Sequence, residues 1–197
     1  MRLTSDSIKP VADAIHAQGY AVVQAFLDGD AVSALASECR KADLRATAVG
    51  RGANRAERAD IRGDWTQWLE ATDASAAQSA YFDAMDALRI ELNRTLMLGI
   101  DELEAHFAMY KPGTRYAKHR DRFRNDDARV LSSVLYLNDN WQESDGGALR
   151  LYLPQRHLDV YPSAGKLVLF LSADFEHEVL PATRYRLSIA GWFRRRV

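Results

Sequence analysis

The stretch KLVLFLSADFEHEVLPATRYRLSIAGWF, residues 166–193, decides the fold of this chain. It holds three β-rich runs, KLVLFLS, HEVL and YRLSIAGWF, the last two parted by the turn residues Pro181 to Thr183. Working back toward residue 100, five more runs of the same kind follow: HLDVY (157–161), ALRLYL (148–153), VLSSVLYLN (130–138), the segment around Tyr116 to Asp121, and ELEAHFAMY (102–110). Turn chemistry separates them at Lys111-Pro112-Gly113, Asn138-Asp139-Asn140, Asp145-Gly146-Gly147 and Pro162 to Gly165. Eight short strands packed into the residues after 100 predict two facing sheets rolled into a jelly-roll barrel.

Before residue 100 helices dominate. Ile8 to Gln18 reads as a short helix ended by Gly19, and Tyr20 to Leu27 is a β-rich run. Val32, Leu35, Ala36 and Cys39 recur at helical spacing. Ala80 to Leu98 reads as a longer amphipathic helix with Met85, Leu88, Leu92 and Leu96 on one face and Gly99 as its stop signal. RGANRAERADIRGD, residues 51–64, has no periodicity and reads as a loop or finger. The expectation is an α+β chain: one domain over 1–197, with helical support and a finger loop in 1–100 and a double-stranded β-helix (jelly-roll) core in 101–197. The helices pack their apolar stripes on one outer face of the barrel.

Composition fits that class. Hydrophobic residues make up 47% and charged residues 27% of 197 residues, and the formal net charge is -1. No global field draws nucleic acid or an anionic membrane. The basic run Arg194-Arg195-Arg196 reads as a solvated tail. The single cysteine, Cys39, allows no internal disulfide and reads as a buried structural thiol, which fits a reducing cytosol. MRLTSDSIKP has no apolar signal-like core, so the expectation is a full-length cytoplasmic protein, with a monomer favoured.

Two of the five histidines open an H-x-D triplet: His119-Arg120-Asp121 and His157-Leu158-Asp159. On a strand, residues i and i+2 share a face, so either triplet could offer an imidazole and a carboxylate to one metal. A mononuclear iron(II) oxygenase needs a third ligand and open positions opposite. In a jelly roll that ligand comes from a strand several steps later. Four strands intervene between His119 and His177, and only one between His157 and His177, so His119, Asp121 and His177 are the expected metal ligands.

The last strand alternates, with Leu187, Ile189 and Phe193 on one face and Arg186, Ser188, Ala190 and Trp192 on the other. An inward arginine needs an anion. A dicarboxylate co-substrate would supply one through paired hydrogen bonds that lysine cannot reproduce. The plainer alternative pairs Arg186 with a protein carboxylate. Tyr136 shares an inward parity with Val134 and Ser132 and is either a second donor to that anion or a core aromatic.

These residues, with LYLN at 135–138, Trp141, GGALR at 146–150, IRGD at 61–64 and Trp68, resemble a known family. The chain is similar to the 2-oxoglutarate- and iron(II)-dependent prolyl 4-hydroxylases, in the branch of the hypoxia-inducible-factor prolyl hydroxylases and their bacterial relatives. The resemblance implies that His119, Asp121 and His177 hold Fe(II). Arg186 would bind the far carboxylate of 2-oxoglutarate, assisted by Tyr136, with Tyr110 near the oxo-acid end. Arg129 and Trp192 would line the pocket for a substrate proline, and Arg62 and Asp64 would belong to a loop that closes over it. The loop before the H-x-D is one residue shorter than in the family, and Ala190 stands where the animal enzymes carry threonine.

The expected reaction is prolyl hydroxylation of a protein by O2 and 2-oxoglutarate, giving succinate and CO2, with ascorbate as reductant. The alanine-rich chain suggests a bacterial origin and a translation component as target; nucleic acid and membranes are not expected partners. Two alternatives stay open here: an oxygenase for a free amino acid or small metabolite, and a non-oxygenase barrel binding a metal such as zinc.

Overall fold

The computed structural model describes residues 5–49, 56–57, 61–121 and 128–196. Three helices come first, α1 (Ser5–Gln18), α2 (Gly29–Lys41) and α3 (Ala76–Leu96), interleaved with strands β1 (Tyr20–Val23), β2 (Arg45–Ala46), β3 (Ala48–Val49), β4 (Ala56–Glu57) and β5 (Asp64–Leu69). The remaining strands are β6 (Glu102–Tyr110), β7 (Tyr116–His119), β8 (Arg129–Tyr136), β9 (Leu149–Tyr152), β10 (His157–Val160), β11 (Leu167–Leu171), β12 (His177–Val179) and β13 (Arg186–Arg194). All eight runs read after residue 100 are strands.

They form two antiparallel sheets. The larger runs β1-β11-β8-β13-β6-β5-β2 and the smaller β10-β9-β12-β7. From β6 to β13 the chain crosses between the sheets at every step except β9 to β10, a hairpin within the smaller sheet, which gives the rolled barrel. β3 and β4 pair apart from both sheets.

Alternation along the strands of the larger sheet builds two cores. Leu187, Ile189 and Phe193 of β13, Leu131 and Leu135 of β8, and Leu167 and Leu169 of β11 face the helices. There they meet Leu35 and Cys39 of α2 and Met85, Leu88 and Leu92 of α3. The opposite parity, Tyr136, Val168 and Phe170, faces the smaller sheet and packs on Leu149, Leu151 and Val179. Because helices cover one face and the second sheet covers the other, β11 is apolar at every position, as a strand buried on both sides must be. Truncating Leu135, which is fully buried, costs about 2–5 kcal/mol by the usual cavity argument.

The helix ends show their caps. Asp28 accepts the Ala31 N–H at 3.0 Å at the start of α2. Ser75 accepts the Gln78 N–H at 3.1 Å and donates to Glu38 at 2.7 Å, which ties α3 to α2. The stop of α3 differs from expectation. Met97, not Gly99, takes the left-handed capping conformation, with φ 51°. Asn93 explains the earlier stop: its side chain holds both the carbonyl and the N–H of Ile100, at 2.6 and 2.9 Å, and draws the chain back over the last turn.

The finger reading of residues 51–64 is only partly visible. Residues 50–55 and 58–60 lie outside the described residues; 56–57 form β4, and Asp64 opens β5, a strand that the sequence did not announce. Among the described residues no helix is long and apolar enough to cross a membrane.

Candidate active site

The barrel opens at one end into a cleft between the two sheets. Its metal-binding corner is built by register. His177 of β12 lies directly opposite His119 of β7, and Asp121 follows His119 by the two residues that return a side chain to the same face. The imidazole centroids are 4.2 Å apart. Asp121 places one oxygen 3.5 Å from His119 Nε2 and the other 3.6 Å from His177 Nε2. One ligand atom from each of the three lies within 4.8 Å of the others.

The surroundings set the protonation state that a divalent cation requires. His119 Nδ1 lies 2.7 Å from the Ala117 carbonyl and His177 Nδ1 lies 3.3 Å from the Phe175 carbonyl. A carbonyl only accepts, so each Nδ1 carries a proton and Nε2 is the nitrogen that each ring turns toward Asp121. Burial, with His119 beside it, pulls His177 down to about 4 against the attraction of Asp121. Burial would raise Asp121, but His177, His119 and the Ser132 hydroxyl hold it well below the ordinary carboxylate range. The neutral His177 imidazole beside an ionised Asp121 is ready to bind metal. Ser132 donates to Asp121 at 2.7 Å and is itself paired with Ser172 at 2.9 Å. Tyr116 stacks on His119 at 3.6 Å and Phe170 meets His177 edge-on, so both rings are fixed. Two histidines and one carboxylate, with the cleft open beside them, fit iron(II).

Arg186 is the second decisive group. It is 1% exposed. Its Nε donates to the Gly147 carbonyl at 2.9 Å and its Nη1 reaches the Ser188 hydroxyl at 3.5 Å. Nη2 is buried with no hydrogen-bond partner, and the side chain has no carboxylate partner among the described residues. The Tyr136 hydroxyl is also buried and unpartnered, and its ring centre is 5.1 Å from the guanidinium carbon. Burial pushes Tyr136 up to about 12 against the pull of Arg186, so it stays a protonated donor. Tyr110 places its ring 5.2 Å from the same guanidinium. These groups fit an anion with carboxylate geometry in the same cleft as the metal corner, which a dicarboxylate would bridge.

Residues from the family-like motifs hold this arrangement. Asn138 accepts the Leu187 N–H at 2.7 Å and donates to the Leu187 and Pro162 carbonyls, so the backbone beside Arg186 is pinned. Gly147 has φ +69°, and a Cβ there would meet the Ala182 Cβ at 2.9 Å and the Arg186 Cδ at 3.4 Å.

The other candidates gather at the mouth. Arg62 and Asp64 form a two-point ion pair at 2.7 and 3.0 Å, and Arg62 covers the Tyr116 ring. They therefore form part of the cleft wall behind a metal-corner histidine, Asp64 buried and Arg62 half-buried. Trp192 lines the cleft, whereas Arg129 stands behind it, 3.6 Å over its ring and paired with Glu104. His106 also lines the cleft and was not singled out by sequence; it shares its inward parity with Tyr110 on β6. The rejected triplet lies elsewhere: His157 is exposed, and Asp159 is held by Arg150 through two bonds of 2.7 Å.

Comparison with known proteins agrees with this geometry. A family model of the 2OG-Fe(II) oxygenase superfamily matches residues 105–194. The chain is 33% identical over 144 residues to the hypoxia-inducible factor prolyl hydroxylase of Caenorhabditis elegans, covering 68% of this chain and 20% of that protein. It is 32% identical over 145 residues to Egl nine homolog 1 of Homo sapiens, covering 68% and 33%. The chain thus spans about a fifth to a third of the length of these curated relatives. A Pseudomonas putida prolyl-4-hydroxylase crystal structure superposes with a TM-score of 0.87 and 46% identity over 96% of this chain and 100% of that one. A prolyl hydroxylase from Trichoplax adhaerens, in complex with a peptide fragment of the hypoxia inducible factor oxygen degradation domain, shares the fold at a TM-score of 0.84 and 24% identity. The chain belongs to the 2OG-Fe(II) oxygenase superfamily, within its prolyl 4-hydroxylase family.

Proposed function

We propose that this chain is an Fe(II)- and 2-oxoglutarate-dependent dioxygenase that hydroxylates a prolyl residue of a protein. The observation that carries the reading is the buried Arg186, with a free Nη2 beside an unpartnered Tyr136 hydroxyl, in the same cleft as the His119, Asp121 and His177 cluster. A metal-binding barrel of another class has no use for a buried cation there. When bound, iron activates dioxygen and 2-oxoglutarate supplies two electrons through its decarboxylation to succinate and CO2.

The chain's own residues do the rest. His119 and His177 each present Nε2, and Asp121 an ionised oxygen, to the metal. Arg186 and Tyr136 hold the far carboxylate of the co-substrate and fix its reach toward the metal corner, with Tyr110 beside the chain of the acid. Leu149, Phe170 and Val179 keep the cleft wall apolar and exclude water. Arg62 and Asp64 hold Tyr116 against His119. Trp192, backed by Arg129, offers a flat face to the pyrrolidine ring.

The similarity to prolyl hydroxylases supports proline over a free metabolite. The buried lone Cys39 fits work in the reducing cytoplasm, ascorbate is the reductant to supply, and a translation component is the target class to assay first. The test is incubation with Fe(II), 2-oxoglutarate, ascorbate and proline-containing peptides. The expected result is one succinate formed for each proline that gains a single oxygen. Turnover that survives His119→Ala or Asp121→Ala would sink the assignment.

A further inference from the structure

Among the described residues that line the cleft, the mechanism above leaves the buried, titratable His106 without a role. His106 of β6 lies opposite Trp68 of β5 on one side and Ala190 of β13 on the other. Its ring centroid is 4.9 Å from that of Trp68 and 5.4 Å from that of Trp192, so the three rings make one aromatic wall. Trp68 is 53% exposed at the outer edge, while His106 is 2% exposed and lines the cleft. His106 Nδ1 is buried without a partner among the described residues, as is Trp192 Nε1. His106 is no part of the His119, Asp121 and His177 cluster.

Burial, helped by Arg62 and Arg129, pulls His106 down to about 4; Asp64 and Asp121 oppose this and are outweighed. A neutral imidazole carries one N–H and one acceptor nitrogen. A prolyl residue has no backbone N–H and offers only carbonyl oxygens, so a protein group that engages its backbone must donate. A lysine or arginine at 106 would add a third cation to a wall that already holds Arg62 and Arg129. A neutral donor avoids that cost.

Resting on the prolyl reading, we propose that His106 is a substrate-binding residue that donates its Nδ1 hydrogen to a backbone carbonyl of the prolyl substrate while Trp68 and Trp192 flank the ring. The imidazole then reads the one feature that a proline backbone presents, and the tryptophans read its apolar ring.

The test uses the protein loaded with Mn(II) and 2-oxoglutarate, titrated with a proline peptide that the wild type hydroxylates. Binding is read by tryptophan fluorescence, to which Trp68 and Trp192 contribute, and compared with steady-state KM. His106→Leu is expected to raise both peptide Kd and KM about tenfold, the loss of one buried donor. Its 2-oxoglutarate affinity stays at the wild-type value. His106→Asn, whose amide nitrogen falls near the Nδ1 position, restores peptide Kd to within about threefold. His106→Gln, whose amide lies near Nε2 instead, behaves like His106→Leu and serves if that variant does not fold. Nitrogen NMR of the wild-type complex shows the Nδ1-protonated tautomer. Peptide Kd within twofold of wild type in both His106→Leu and His106→Gln, or no rescue by asparagine, overturns this inference alone. A wild type that consumes 2-oxoglutarate but hydroxylates no proline peptide overturns the prolyl reading and this inference with it.

Discussion

Ser132 on β8 donates its hydroxyl to Asp121 at 2.7 Å and thereby fixes the carboxylate of the His119, Asp121 and His177 cluster from a strand that carries none of those three residues. The bond satisfies one carboxylate lone pair and adds to the stronger pull of His177 and His119 that keeps Asp121 ionised against its burial. Ser132→Ala is expected to lower Fe(II) or Mn(II) affinity about tenfold or more, the usual effect of losing a ligand's supporting hydrogen bond. Metal titration checks this, with circular dichroism expected to remain that of the wild type.

Gly147 supports Arg186 through its carbonyl, and its positive φ and the nearby Ala182 methyl leave no room for a side chain. Gly147→Ala should destabilise the fold by about 1–3 kcal/mol and weaken 2-oxoglutarate binding together with it. Urea unfolding and co-substrate titration measure the two losses. A variant as stable as wild type would show that the loop relaxes freely.

The decoy triplet gives a negative control. His157→Ala should leave metal affinity unchanged, because His157 is exposed and its neighbour Asp159 is engaged with Arg150 on β9. Asp159→Asn should cost no more than about 1 kcal/mol, as a partly exposed ion pair does. Loss of metal binding in either variant would move the metal site.

His106 links stability to pH. Its folded value, about 4, lies below the ordinary 6.5. Between those values the unfolded chain binds a proton that the native chain refuses, so stability is lost as pH falls through that window. The slope from this group is at most about 1.4 kcal/mol per pH unit. His106→Asn removes it, so the metal-free variant should lose less stability than wild type between pH 7 and pH 5 in urea unfolding. Equal losses would show that the imidazole titrates normally.

The part of the site that follows from strand parity was legible in the sequence. His119 and Asp121 stand two apart, Arg186 shares a face with Ser188 and Trp192, and four strands separate His119 from His177. Each of these is a local count. What escaped depends on pairing between distant segments. β5, as DWTQWL, buries only Asp64 and Leu69 and leaves Trp65 and Trp68 partly exposed, so it carries no apolar alternation of its own. Once it pairs with β6, it brings Trp68 against His106, and a lone histidine in ELEAHFAMY acquires a context that no local spacing reveals. The cap at Met97 escaped for a similar reason, since the Asn93 side chain, not a glycine, turns the chain.

In the proposed function the buried guanidinium of Arg186 anchors 2-oxoglutarate. Calorimetric titration of 2-oxoglutarate into the Mn(II)-loaded protein, wild type against Arg186→Leu, tests it most directly. The leucine removes a buried charge that has no carboxylate partner among the described residues, so the variant is expected to fold with stability near wild type. Losing a charge-assisted, two-point contact is worth about 3 kcal/mol or more, so 2-oxoglutarate affinity is expected to fall at least about a hundredfold. A folded Arg186→Leu protein that binds 2-oxoglutarate as tightly as the wild type would contradict it.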